Sequence, residues 1–312
     1  MSNLVVSPSP HIRTAESVSR IMWLVSLSLV PAGAVGVYFF GWRALWVIAL
    51  GVVSAVATEY LLYRLMGRKC AVLDGSAALT GLLVAYNVSA SVPLWLPVVG
   101  SFVAIAVGKT VFGGLGRNIF NPALVGRAFL MASWPQYMTA FVPPRGYDAL
   151  TQATPLAALG EGLPVEQVSY LDLFLGARGG CIGEVCILAL LAGAVFLLIM
   201  GYISWHTPAA FIGSAIVFMY LFGGEAGFAS GDMVFHLLTG GLVLGAFFMA
   251  TDYATSPLSR KGQLVFGTGC GILTGVIRTW GGYPEGVSYA ILIMNAFVPL
   301  IDRYVRPRIY GT

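Results

Sequence analysis

Apolar residues in this chain come in runs of about twenty, parted by short polar connections, and this pattern constrains the fold more than any other feature. A run of that length is what a helix needs to cross the hydrocarbon layer of a bilayer. Few charges interrupt the runs: of 312 residues, 58% are apolar and only 10% are Asp, Glu, Lys or Arg. A soluble domain carries about 25% charged residues, and 17 basic plus 13 acidic side chains cannot cover a soluble globule of this size. The mean hydropathy of +0.84 agrees. A soluble enzyme, a disordered chain and a nucleic-acid-binding module are excluded. The formal charge of +4 is no nucleic-acid footprint, because the basic residues are scattered between apolar runs. Four cysteines (Cys70, Cys181, Cys186, Cys270) are too few for a disulfide framework, and no CxxC or Cys/His cluster marks a metal site. The chain reads as an all-α polytopic membrane protein.

Candidate spans lie at 21–40, 44–63, 76–90, 92–112, 122–134, 185–204, 208–223, 233–251, 262–280 and 287–304. The small residues Pro31-Ala-Gly-Ala34 fit a signal-peptide cleavage site, but the first run continues to Phe40 and reads better as an anchor. The pieces at 76–90 and 122–134 are too short to span alone, and such pieces are tolerated at membrane depth only when buried in protein. In transporter-type folds they also point to a binding site.

Charge sets the orientation. If the N-terminus is cytoplasmic and each candidate crosses once, 13 of the 17 Lys and Arg residues fall on the cytoplasmic side, Lys109 and Arg117 among them. Arg43, Arg145, Arg178 and Arg278 fall outside, with acidic residues including Asp148, Glu184, Asp232 and Glu285. This predicts a cytoplasmic segment 1–20, a first membrane repeat 21–134, an outer loop 135–183, a second repeat 184–304 and a cytoplasmic tail 305–312. The outer loop mixes Pro, Gly and acidic residues and reads as a small ordered element, of a length that is usually functional.

Thr80-Gly-Leu-Leu-Val-Ala85 recurs loosely as Thr239-Gly-Gly-Leu-Val-Leu244. About ten transmembrane or half-spanning helices would then split as two repeats of five. An odd number per half places the halves in opposite orientation, the inverted-repeat plan.

No nucleophile–base pair and no metal-ligand spacing emerges from the apolar runs, so no catalytic residue is assigned. His236 lies within one run, where a packing hydrogen bond is its commonest use. Arg117, Asn118, Asn121 and Arg127 form a denser group: two cations and two amides near a helix start suit an anionic or polar ring-bearing ligand. Arg278, Tyr283 and Glu285 occupy the matching place in the second half. Capping of broken helices is the structural alternative for both groups.

In the outer loop, Asp148-Ala-Leu-Thr-Gln-Ala-Thr154-Pro is by itself an acidic residue, a short turn and a Thr stiffened by the following Pro. The stretch resembles the D-x-x-[S/T]-G-A-T flavinylation motif, matching at Asp148, Thr151, Ala153 and Thr154, with Gln152 where the motif usually has Gly. Gly116-Arg-Asn-Ile-Phe-Asn-Pro-Ala-Leu-Val-Gly-Arg-Ala-Phe-Leu130 resembles the F-N-P-A signature shared by the RnfD component of Rnf complexes and the NqrB component of the sodium-pumping NADH:quinone reductase. Phe248-Met-Ala-Thr-Asp252, Arg278-Thr-Trp-Gly-Gly-Tyr-Pro-Glu-Gly-Val287 and the ending from Pro299 to Gly311 resemble the Rnf component. The chain's length also favours it.

The resemblance implies a translocase subunit of a multi-subunit oxidoreductase in the cell inner membrane, passing electrons between ferredoxin and NAD and moving Na⁺ or H⁺. It implies FMN joined covalently to Thr154 by a phosphoester, and a second flavin, riboflavin, held non-covalently among the helices. Asp148, Thr151, Arg117, Asn118, Asn121, Arg278 and Glu285 are the expected cofactor-binding residues. Implied partners are the other Rnf subunits (A, B, C, E and G), membrane lipid and a flavin transferase, with no nucleic acid. A quinone-reductase component of the NqrB type, or a flavin-free inverted-repeat transporter or channel, is the alternative. Thr255, in Asp252-Tyr-Ala-Thr-Ser-Pro257, is a rival acceptor that lacks the upstream acid and falls on the cytoplasmic side.

Overall fold

The computed structural model describes residues 16–68, 72–141, 156, 169–176, 179–224, 227–281 and 286–306, and among them the protein is helical, with no β-strand. Two helices are long and apolar enough to cross a membrane: α1 (Val18–Phe40, 23 residues) and α2 (Trp42–Leu65, 24 residues). The Ser17 side chain caps α1 by accepting the Arg20 N–H at 3.2 Å. Gly41, at φ 77°, turns the chain from one helix into the next.

Shorter pieces follow. They are α3 (Ser76–Tyr86), α4 (Trp95–Ile105, continued by a π-helical turn Ala106–Thr110), α5 (Pro122–Ser133) and the single turn α6 (Pro135–Met138). Further along the chain come α7 (Tyr170–Leu175), which falls within the segment 135–183, then α8 (Ile187–Ile199), α9 (His206–Phe222) and α10 (Met233–Leu238). Last are α11 (Leu242–Leu244, continued by a π-helical turn Gly245–Met249), α12 (Arg260–Trp280) and α13 (Val287–Tyr304).

Two sequence expectations are corrected here. The candidate 76–90 stops being helical at Tyr86, and at 1.5 Å per residue α3 rises about 16 Å, half the hydrocarbon thickness. The candidate 233–251 is two pieces, because Thr239 is extended and Gly240 and Gly241 take φ of 70° and 66°, which non-glycine residues adopt only under strain. Thr80 lies inside unbroken α3 whereas Thr239 begins the break, so the two loosely similar segments differ in local structure.

Backbones approach closely where glycines face a neighbour. A Cβ on Gly81 would overlap the Gly51 carbonyl oxygen, one on Gly126 that of Gly100, and one on Gly271 that of Phe211. Such small-residue contacts pack helices in lipid, where the hydrophobic effect does not drive association between them. They bring α3 onto α2, α5 onto α4 and α12 onto α9. Large apolar side chains such as Trp23, Leu27, Trp46 and Val53 face outward, as a lipid-facing surface requires.

Candidate functional site

Half-length helices leave carbonyls without partners at their ends, and the buried ends of α3 and α10 each have a partner. The end of α3 is closed by the segment Cys181–Glu184: Ile182 N–H donates to the Val88 carbonyl and Gly183 N–H to that of Tyr86, both at 3.1 Å. Gly183 lies against the Tyr86 ring, and the Tyr86 hydroxyl donates to the Leu29 carbonyl of α1 at 2.8 Å. The end of α10 is closed by Arg278. Its guanidinium donates to the carbonyls of His236 (2.8 Å), Thr239 (3.0 Å) and Gly240 (3.1 Å). The Glu184 carboxylate lies beside Gly241 at the start of α11, the helix end that favours negative charge.

Arg278 therefore holds the helix break together, the capping alternative of the sequence reading. Leu156, two residues beyond Thr154, is buried, and it meets Gly240 beside the Arg278 guanidinium. Replacing Arg278 by Ala strips three buried carbonyls of a charged donor and is expected to cost about 2–4 kcal/mol. Arg278→Lys should recover only part of it, because an ammonium lacks the planar fork that reaches several acceptors. Thermal unfolding of the detergent-purified protein checks both. Asp148, Thr151, Thr154, Tyr283 and Glu285 lie outside the described residues. His236 is 3% exposed, with its ring beside the backbone of Gly223.

Asp232 caps α10 by accepting the Phe235 N–H at 3.0 Å, and it accepts the Tyr170 hydroxyl of α7. Partial burial works the other way, but these hydrogen bonds hold the Asp232 carboxyl below the usual range.

The group Arg117, Asn118, Asn121 and Arg127 does not converge on one point. Arg117 is exposed, and its backbone N–H donates to the Gly114 carbonyl. Asn121 is a cap and a bolt. Its Oδ1 accepts from Ala123 N (3.0 Å) and Leu124 N (3.4 Å), its Nδ2 donates to the Met249 carbonyl at 3.1 Å, and its N–H donates to Asn295 Oδ1 at 3.2 Å. Arg127, further into α5, donates to Asn87 Oδ1 just past α3. These bonds join the front half of the chain to the segment after α11 and to α13.

Asn118 alone of the four combines an open space with an unused polar atom. A cleft gathers the starts of α1, α3 and α5, the ends of α4 and α8, and the segment following α11. Asn118 is 4% exposed and lines it; its Nδ2 donates to the Phe120 carbonyl at 3.2 Å, while its Oδ1 is buried with no partner among the described residues. Ser76, Lys109 and Asp252 add polar groups to an otherwise aliphatic wall, and Phe248 and Tyr253 add rings. A wall of this kind, mostly apolar with a few fixed polar atoms, suits a flat aromatic ligand with polar edges.

Sequence reasoning counted Lys109 on the cytoplasmic side, without a partner; the structure shows that it is buried and paired. Lys109 and Glu59 of α2 are each 1% exposed, with Nζ 2.6 Å from Glu59 Oε1 and 2.6 Å from Ser76 Oγ. The available signal was Glu59 itself, an acid inside an apolar run, which hydrocarbon does not tolerate unpaired. Thr255 is 2% exposed and its hydroxyl donates to Asp252 Oδ2 at 3.0 Å, so it is a poor acceptor for a modification.

The family described as NQR2, RnfD, RnfE matches residues 5–311. The chain is similar to the D component of the Na⁺-translocating ferredoxin:NAD⁺ oxidoreductase complex of Acetobacterium woodii, 49% identical over 99% of this chain and 96% of that one. It is similar to the D component of the proton-translocating ferredoxin:NAD⁺ oxidoreductase complex of Clostridium ljungdahlii, 47% identical over 98% and 96%. It is also similar to the D component of the ion-translocating oxidoreductase complex of Escherichia fergusonii, 38% identical over 98% of each.

Proposed function

Because the chain belongs to the NQR2, RnfD, RnfE family, we propose that it is the RnfD-type membrane component of an Rnf complex, with FMN joined to Thr154 and riboflavin held in the cleft beside Asn118. The full-length likeness to components so named in three organisms supports its place in an ion-translocating ferredoxin:NAD⁺ oxidoreductase, coupled to Na⁺ or H⁺ movement. It works there with the A, B, C, E and G components, in the cell inner membrane, after maturation by a flavin transferase. Ten spans or half-spans in two inverted repeats, with cytoplasmic termini, fit the charge count. They also fit the cleft, whose contributing helix ends are those assigned to the cytoplasmic side.

The observation that carries the cleft reading is Asn118 Oδ1, a buried acceptor with no partner among the described residues. Such a group costs free energy unless a ligand donor meets it. The ring N–H and carbonyl edge of an isoalloxazine would be held by Asn118 and the Lys109 ammonium, with Phe248 and the aliphatic wall excluding water. Once bound, a flavin supplies one- and two-electron transfer, and the protein's share is binding, orientation and electrostatics. Asn118→Leu keeps the volume and removes the amide. Flavin released from the purified complex by acid should fall at least tenfold, while flavin that stays with the denatured band is unchanged. Full release of free flavin from that variant would remove the cleft reading.

A further inference from the structure

The Glu59–Lys109 pair is not closed on itself. Ser76 Oγ, which accepts from Lys109 Nζ, donates in turn to Asp74 Oδ1 at 2.5 Å, and Ser76 N–H donates to the same oxygen at 2.8 Å. Asp74 is partly buried in the turn Val72–Asp74, next to exposed Leu73 and ahead of α3. A continuous chain of short hydrogen bonds thus leads from a carboxylate at the rim, through Ser76, to an ammonium buried at 1% exposure on the wall of the cleft. Lys109 has three N–H bonds, and the described residues use two of them, at Glu59 and Ser76. Glu59 Oε2 has no partner.

We propose that Asp74, Ser76 and Lys109 form a proton relay that feeds the cleft, with Glu59 as the fixed charge that resets it. This rests on the reading that the cleft holds a flavin. The electron arrives from the complex's ferredoxin:NAD chemistry, and negative charge placed in so dry a site demands a proton or a cation. Lys109 gives up the proton of its free N–H bond, the bonding pair staying on Nζ as an amine lone pair, and a new bond to that proton forms on the reduced ring. The Asp74 carboxylate takes a proton from water at the rim, leaving hydroxide in the solvent. The proton then passes from the Asp74 carboxyl to Ser76 Oγ as the Ser76 hydroxyl gives its own to the amine, which returns Asp74 to the carboxylate and Lys109 to the ammonium. One electron and one proton enter together, so charge balances. While Lys109 is neutral the Glu59 carboxylate stands buried and uncompensated, which drives the refilling. The other titratable groups on the wall are Asp252, whose Oδ2 accepts from Thr255, and the phenols Tyr202 and Tyr253; Tyr202 donates to Glu16, and Tyr253 to the Tyr202 carbonyl.

The test uses the whole complex. In the wild type, the midpoint potential of the acid-extractable flavin should fall as pH rises, and its reduction should slow at least twofold in D₂O. In Asp74→Asn, reduction of that flavin at pH 8 should slow about tenfold or more with flavin content unchanged, and formate should restore the rate by replacing the lost acid. Lys109→Met is paired with Glu59→Gln in one protein, so that no unmatched charge is left to prevent folding. This double variant loses one of the two groups that hold the flavin edge, so its flavin content should fall, and the flavin that it retains through Asn118 should show a flattened pH slope. A wild-type slope and isotope effect in the double variant would overturn the relay while leaving the flavin in the cleft. A wild-type complex that releases no free flavin would overturn the cleft reading instead, and the relay with it.

Discussion

Thr154→Val is expected to abolish the flavin fluorescence of the protein band in a denaturing gel, while the chain still inserts and assembles. The substitution keeps the shape of the side chain and removes the hydroxyl that a phosphoester needs. An acceptor hydroxyl must be free, and in a membrane helix it is not, because it bonds back to the carbonyl one turn earlier. The structure shows this for three threonines in or at the end of helices: Thr80 donates to the Ser76 carbonyl at 2.9 Å, Thr239 to Phe235 at 2.7 Å and Thr274 to Cys270 at 2.8 Å. Thr255, the rival in an Ala-Thr pair, is buried and already donates to Asp252. Thr255→Val should therefore leave the fluorescence intact. The attached phosphodiester keeps one negative charge, which is tolerable on the outer face and costly in hydrocarbon. Retained fluorescence in Thr154→Val would show that the acceptor is another residue.

Removing either half of the buried ion pair should destabilise the bundle more than removing both. Lys109→Met leaves the Glu59 carboxylate with only an unpartnered oxygen on one side and no cation on the other. Glu59→Gln leaves the ammonium without its counter-charge. Each single change should cost about 3–5 kcal/mol, the usual consequence of stranding a buried charge. The double change exchanges two buried ions for neutral groups of similar volume, and it should return to within about 1 kcal/mol of the starting protein. A double-mutant cycle on unfolding in detergent reads the coupling directly. Additive losses would mean that the two charges do not depend on one another, which a separation of 2.6 Å at 1% exposure does not allow.

Class and rough layout were legible because they follow from composition and run length. The helical content and the half-length pieces at α3 and α5 could be read in advance. What sequence could not supply is the pairing across space. Glu59 and Lys109 are 50 residues apart on different helices, and a lone Lys after an apolar run reads as a flank rather than a core residue. The four-residue cluster around Asn118 looked like one site because its members are close in sequence. A helix turn and a loop then send Arg117 outward, Asn118 into the cleft, and Asn121 and Arg127 into contacts with other elements. Arg278 was counted with the outer charges by position alone; only the fold shows that its guanidinium serves the carbonyls of a helix broken at Gly240 and Gly241.

The central claim, a flavin-bearing chain with its acceptor in the outer loop, is tested most directly by peptide mass spectrometry of the wild-type chain purified from its native complex. Trypsin should release the peptide 146–178, which contains Thr151 and Thr154. The reading predicts that this peptide carries the mass of FMN less one water, with fragment ions placing it on Thr154. Fluorescent protein in which residue 154 is unmodified, with the flavin on Thr151, Thr255 or no residue at all, would contradict it.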